Sequence, residues 1–150
     1  MKFLTHRWIT PALLGAFGFV AGSMVTSSLS HPQPAAAAST HVFEMRTYTT
    51  NEGKLPNLET RFREHTMKIF EKHGMKNVGY WIPQDGEKHS NTLIYIISHE
   101  SRDAAKANWK AFSQDPEWQA VAKASEVDGK ILAKSPESVY MDATPYSPIQ

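Results

Sequence analysis

The chain has 150 residues, no cysteine, and a formal charge of +1 with histidine neutral. That composition excludes a disulfide framework, a thiolate nucleophile and a cysteine metal site, and the near-neutral balance argues against nucleic acid as the main partner. All 15 acidic residues but only 14 of the 16 basic ones lie beyond residue 40, so that part carries 14 minus 15, or −1, and has no polybasic patch for a membrane surface.

Residues 1–40 read as a signal peptide and leader, cleaved or disordered. Lys2, His6 and Arg7 make a basic start, and residues 8–25 are apolar and rich in Gly and Ala. A polar stretch leads to Ala35-Ala36-Ala37-Ala38-Ser39, a small-residue cleavage site. The order predicts a secreted or periplasmic protein. The alternative is an uncleaved leader that anchors the chain N-terminally, with residues 27–40 as a tether; the leader is the only membrane contact expected. Residues 41–150 remain as one domain with a core of modest size.

Val42 to Thr50 alternates and predicts a first strand, with Phe43 and Met45 on one face and Glu44, Arg46 and Tyr48 on the other. Which of these faces meets the core depends on strand register and stays open. Asn51-Glu52-Gly53 breaks the strand. Leu58, Phe62, His65 and Ile69 then form a helical stripe; Pro56 suits the first turn and Gly74 the end, which predicts a helix of about twenty residues. Met75 to Ile82 is a second strand, Gln84 to Ser90 a polar loop with an Asp85-Gly86 turn, and Thr92 to His99 a third strand in an antiparallel hairpin with the second. Ser101 is a helix cap ahead of Ala105, Trp109 and Phe112, and Asp115-Pro116 restarts a helix that carries Trp118 and Val121. Ser138 to Ala143 is the last strand, and Pro145 and Pro148 mark a tail.

The order β-α-β-β-α-β predicts an α+β, ferredoxin-like fold. Helices would cover one face of its sheet. The other, expected to carry Val78, Tyr80, Ile94, Ile96, Val139 and Met141, would be a large apolar patch in a monomer, so a homodimer is expected.

The segment Val42-Phe43-Glu44-Met45-Arg46-Thr47-Tyr48, with Gly79-Tyr80-Trp81 and Asp115-Pro116-Glu117-Trp118, resembles the NIPSNAP family. The resemblance spans about Val42 to Ser147. It implies the dimeric α/β-barrel version of the ferredoxin-like fold and no particular reaction. Glu44, Arg46 and Tyr48 match the Glu-x-Arg-x-Tyr of that family's opening strand, and Trp81 and Trp118 match its aromatic positions.

Glu44, Arg46 and Tyr48 could hold an anion and handle a proton; the plainer reading is a Glu–Arg pair that fixes register or dimer geometry. His65, placed by spacing on the apolar stripe, is the candidate catalytic residue, as a base or a haem ligand. Its plainer reading is a histidine at the core edge. His41, His73, His89 and His99 show no ligand spacing with it, and His89 and His99 are expected in solvent. No metal and no cofactor are expected. Tyr80, Trp81, Tyr95, Trp109 and Trp118 could line an apolar pocket, or simply pack the core and dimer. Two function classes follow: a binding protein for a small molecule or a protein partner, and a cofactor-poor monooxygenase-like or haem-handling enzyme of the same superfamily.

Overall fold

The computed structural model describes residues 41–150; the expected leader lies outside the described residues. Four strands form one antiparallel sheet: β1 (Val42–Thr49), β2 (Lys76–Trp81), β3 (Thr92–His99) and β4 (Glu137–Asp142), in the order β2-β3-β1-β4. Between β1 and β2 the chain runs through α1 (Leu55–Arg61), a π-helical turn (Phe62–Thr66) and α2 (Met67–Lys72). Between β3 and β4 lie α3 (Arg102–Gln114) and α4 (Pro116–Ser125). This is the α+β, ferredoxin-like arrangement expected from the sequence.

The caps are local chemistry. Ser101 accepts from the Ala104 N–H at 3.0 Å and starts α3, a bond of a kind that contributes about 1 kcal/mol. Asp115 accepts from the Glu117 N–H at 2.8 Å, with Pro116 in the first turn, and so closes α3 and opens α4 in one residue. The same carboxylate accepts from His73 Nε2 at 2.6 Å and Lys72 Nζ at 2.8 Å, which pins the α3–α4 corner to the end of α2. Gly74 ends α2 with φ 73°, and Asn108 on α3 donates to its carbonyl at 3.1 Å.

Register decides the faces. Glu44 pairs with Ile97 and Tyr140, Arg46 with Tyr95 and Ser138, and Tyr48 with Leu93. These side chains lie on the helix side, where Tyr48, Leu58, Phe62, Phe70, Tyr95, Ile97 and Phe112 make the core. Ring contacts knit it: Tyr80 stacks on Tyr95 at 5.4 Å, and Phe62 meets Tyr48 edge-on at 5.7 Å. The other face presents Phe43, Met45, Ile94, Ile96, Val78 and Met141. Trp81 and Val139, 50% and 51% exposed, stand on it as well.

Two expectations fail here for a shared reason, an inserted residue. A β-bulge between Asn77 and Gly79 shifts the pairing of β2 with β3. Val78 stays on the uncovered face, but Tyr80 turns to the helix side, where its hydroxyl donates to Asn77 Oδ1. Trp81 is left on the uncovered face, its ring lying over Gly79 so closely that a Cβ there would fall 2.6 Å from it. In the long helix, the π turn adds a residue between Phe62 and Met67, whose N–H reaches back to the Phe62 carbonyl. The inward position becomes Thr66, which donates to the Arg61 carbonyl at 3.1 Å. His65, displaced by about 100° of helix phase, is exposed rather than on the apolar stripe.

The segment before β4 is stitched to the end of β1. Ile131 is fully buried, its carbonyl accepts from the Asn51 N–H at 2.9 Å, and Leu132 bridges Thr50.

Candidate functional site

Of the charged side chains buried on the helix side, Glu44 and Arg61 differ most in how well they are matched. The first is Glu44, fully buried. Its Oε1 accepts from Arg46 Nη1 at 2.7 Å and Ser138 Oγ at 2.6 Å; its Oε2 accepts from Trp109 Nε1 at 2.6 Å and His99 Nε2 at 3.1 Å. Strands β1, β3 and β4 and helix α3 each supply part of this cluster. Burial works against the charge, but the hydrogen bonds from His99, Ser138, Trp109 and Arg46 outweigh it and bring the carboxyl down to about 2. A carboxylate only accepts, so His99 must carry its proton on Nε2.

Arg46 lies against the Trp109 ring, 4.3 Å from its centre, and 5.6 Å from the Tyr48 ring. Burial opposes its charge; Tyr48, Tyr95 and Glu44 more than compensate and hold it firmly protonated. Tyr95 donates to the Tyr48 hydroxyl at 3.1 Å, and burial pushes the Tyr95 phenol well above its ordinary value. Glu44, Arg46, Tyr48, Tyr80, Tyr95 and Trp109 thus share one layer between sheet and helices; the sequence put the first three on a common strand face, and register puts that face inward. Trp81 is across the sheet. Trp118 packs on Phe112, ring centres 4.4 Å apart and planes tilted by 33°.

The second charge is Arg61, at the C-terminal end of α1 and 5% exposed. Its Nη1 donates to Ser125 Oγ at 3.2 Å, and Glu126 stands 3.7 Å away with its side chain 36% exposed. The Trp118 ring is 5.4 Å from the guanidinium. Among the described residues, Nε has no hydrogen-bond partner. Burial lowers the Arg61 pKa, and Tyr48, Glu126 and Tyr95 offset only part of that. Arg61 lies in the wall of an open groove of about 640 Å³ between α1 and α4, with Thr60, His65, Val121, Ala124 and Ser125 among its lining. A site of this size is in the range of roughly 300–1,000 Å³ usual for small ligands.

Two placements depart from expectation, and two residues were not anticipated. His65 faces this groove from the outside of the helix, away from the Glu44 cluster. His99, expected in solvent, is buried, because its strand end is roofed by α3 and its ring meets Glu44. Ser138 and Arg61 were not singled out at all; a serine and an arginine in those patterns give no sequence signal. Among the described residues no group of three or more His, Asp or Glu is placed to hold a metal ion.

A NIPSNAP family model matches residues 43–148. The chain is similar in structure to a NIPSNAP family protein with unknown function from Agrobacterium tumefaciens: TM-score 0.64, 21% identity, covering 77% of this chain and 99% of that one. It is also similar to a NIPSNAP-like domain protein from Burkholderia xenovorans, with TM-score 0.63, 15% identity, and 73% and 90% covered. Among curated proteins none matches.

Proposed function

The chain belongs to the NIPSNAP family, and from that premise we propose that it is an exported, homodimeric small-molecule-binding protein with its ligand seat in the groove between α1 and α4. Export rests on the composition of residues 1–40. The single observation that carries the binding reading is the groove itself, about 640 Å³ with an incompletely matched arginine in its wall. The Glu44 cluster supports binding over proton chemistry. A carboxylate with four donors and a pKa near 2 has no affinity for a proton at neutral pH. The enzyme reading gave His65 a catalytic role beside the aromatic residues; His65 is exposed, outside their layer, and the buried His99 donates to Glu44 through Nε2.

The dimer rests on the uncovered sheet face. Half-exposed Trp81 and Val139, with Met45, Ile94 and Ile96 beside them, form an apolar surface that two copies would cover by packing sheet on sheet. Such an interface buries on the order of 1,600 Å². Light scattering on the purified protein at micromolar concentration should give twice the chain mass; a monomer mass for a folded, soluble chain would overturn the dimer. For the groove, ligand-observed NMR with a small-molecule library should find compounds that bind the protein and are lost in Ala124→Trp, an exposed position where an indole fills the groove. A library in which every binder ignores that substitution would overturn the seat.

A further inference from the structure

Resting on the groove as ligand seat, we propose that its ligand is an amphipathic monocarboxylate: the carboxylate pairs with Arg61, and the apolar part lies along Val121, Ala124 and Val127. A guanidinium presents five N–H donors in a planar fork that matches a carboxylate. At Arg61 the structure gives one hydrogen bond of 3.2 Å, to Ser125, and an acidic neighbour at 3.7 Å, too long for a direct bond. A guanidinium 5% exposed with a single hydrogen bond is short of acceptors; among the described residues its Nε is buried and unpartnered, as is that of Arg46. Glu126 is an imperfect acceptor, since its own side chain remains 36% in solvent.

The apolar side of the groove has its own signal. Val127 is 81% exposed, two residues past the end of α4, and Val121 and Ala124 line the same wall one helical turn apart. An exposed valine alone means little; next to two further apolar groove residues it makes a strip that an alkyl or aryl chain can cover. The rim narrows the class. Glu64 and Asp128 line the groove too, and Glu126 stands 3.7 Å from Arg61, so acidic residues outnumber the one arginine in this wall. A polyanion such as phosphate would meet more repulsion from these acidic residues than a monoanion does. A monoanion that derives much of its affinity from apolar contact tolerates that rim.

The test is calorimetric titration of the purified protein with sodium decanoate, decanol and inorganic phosphate, repeated on Arg61→Gln and Ala124→Trp. Decanoate should bind the unchanged protein, and each substitution should weaken it at least about tenfold, the scale of a lost charge-assisted hydrogen bond. Decanol should bind at least about tenfold more weakly than decanoate, and Arg61→Gln should leave it unchanged. Phosphate should give no heat. Decanoate binding that survives Arg61→Gln, or phosphate binding as tightly as decanoate, would overturn the carboxylate assignment. If decanoate fails while neutral compounds bind and are lost in Ala124→Trp, the carboxylate falls and the groove stands; if neither class is sensitive to Ala124→Trp, both fall. Melts of each variant confirm that it is folded.

Discussion

Glu44 and Arg61 are both charges buried on the helix side of one sheet, and they have opposite surroundings. Glu44 has four donors from three strands and a helix, all within 3.1 Å. Arg61 has one hydrogen bond and a partner 3.7 Å away that is about a third in solvent. The difference teaches how to tell a structural charge from a receptive one. A saturated buried ion holds elements together and has nothing left for a ligand, whereas an unsaturated one at a groove retains directional capacity that something else can use.

The largest effect should come from the saturated side. Glu44→Gln puts an amide where four donors point and leaves Arg46 without its counter-ion, so it should destabilise the fold by roughly 3–5 kcal/mol. Urea melts would measure it, and a loss below about 1 kcal/mol would break the comparison.

The same carboxylate sets the acid limb of stability. Its pKa falls from an ordinary 4.5 to about 2 on folding, so the unfolded chain takes up the proton first. The stabilisation is complete above about pH 5 and drains away as pH drops through 4.5 towards 2, a total of about 3 kcal/mol. Asp115, held low chiefly by Lys72 and His73, acts with the same sign. Thermal midpoints recorded from pH 7 to pH 2 should therefore slope less steeply in Glu44→Gln without becoming flat. An identical slope in both proteins would mean that the cluster is not what titrates.

Arg61→Gln should cost far less, within about 1 kcal/mol in the same melts. It removes a poorly compensated charge, and the Glu126 it leaves behind is already partly in water. A penalty equal to that of Glu44→Gln would erase the distinction between the two charges and show Arg61 to be a full structural partner. The smallest effect belongs to His65→Ala, expected within about ±0.5 kcal/mol because the side chain is exposed. A loss of 2 kcal/mol or more would mean that His65 packs inward after all and that the π turn does not rotate it out.

Much of this was legible in residue order. Alternation in Val42–Thr49, the β-rich run of Thr92–His99, the helical period of Leu58 and Phe62, and the caps at Ser101 and Asp115 are local signals. Local signals suffice for element type and order, and those gave the ferredoxin-like reading. The Glu-x-Arg-x-Tyr strand also placed Glu44, Arg46 and Tyr48 on one face, since strand period is two. Their side of the sheet was not local information. It follows from pairing with β3 and β4, which puts Ile97 and Tyr95 beside them in the core.

The tertiary structure alone decided the rest, and the physical reason is phase. One extra residue at Val78 reversed Tyr80 relative to Val78, and one in the π turn replaced His65 by Thr66 on the inward line. Neither insertion has a signature in composition or spacing, because each is favoured by packing and hydrogen bonds made only in the folded chain. The partners of Glu44 lie 55, 65 and 94 residues away at His99, Trp109 and Ser138. The groove beside Arg61 exists only because α4 comes back across α1. The sequence by itself determined the elements, their order and the polar strand; closure of the fold determined how fully each buried charge is matched.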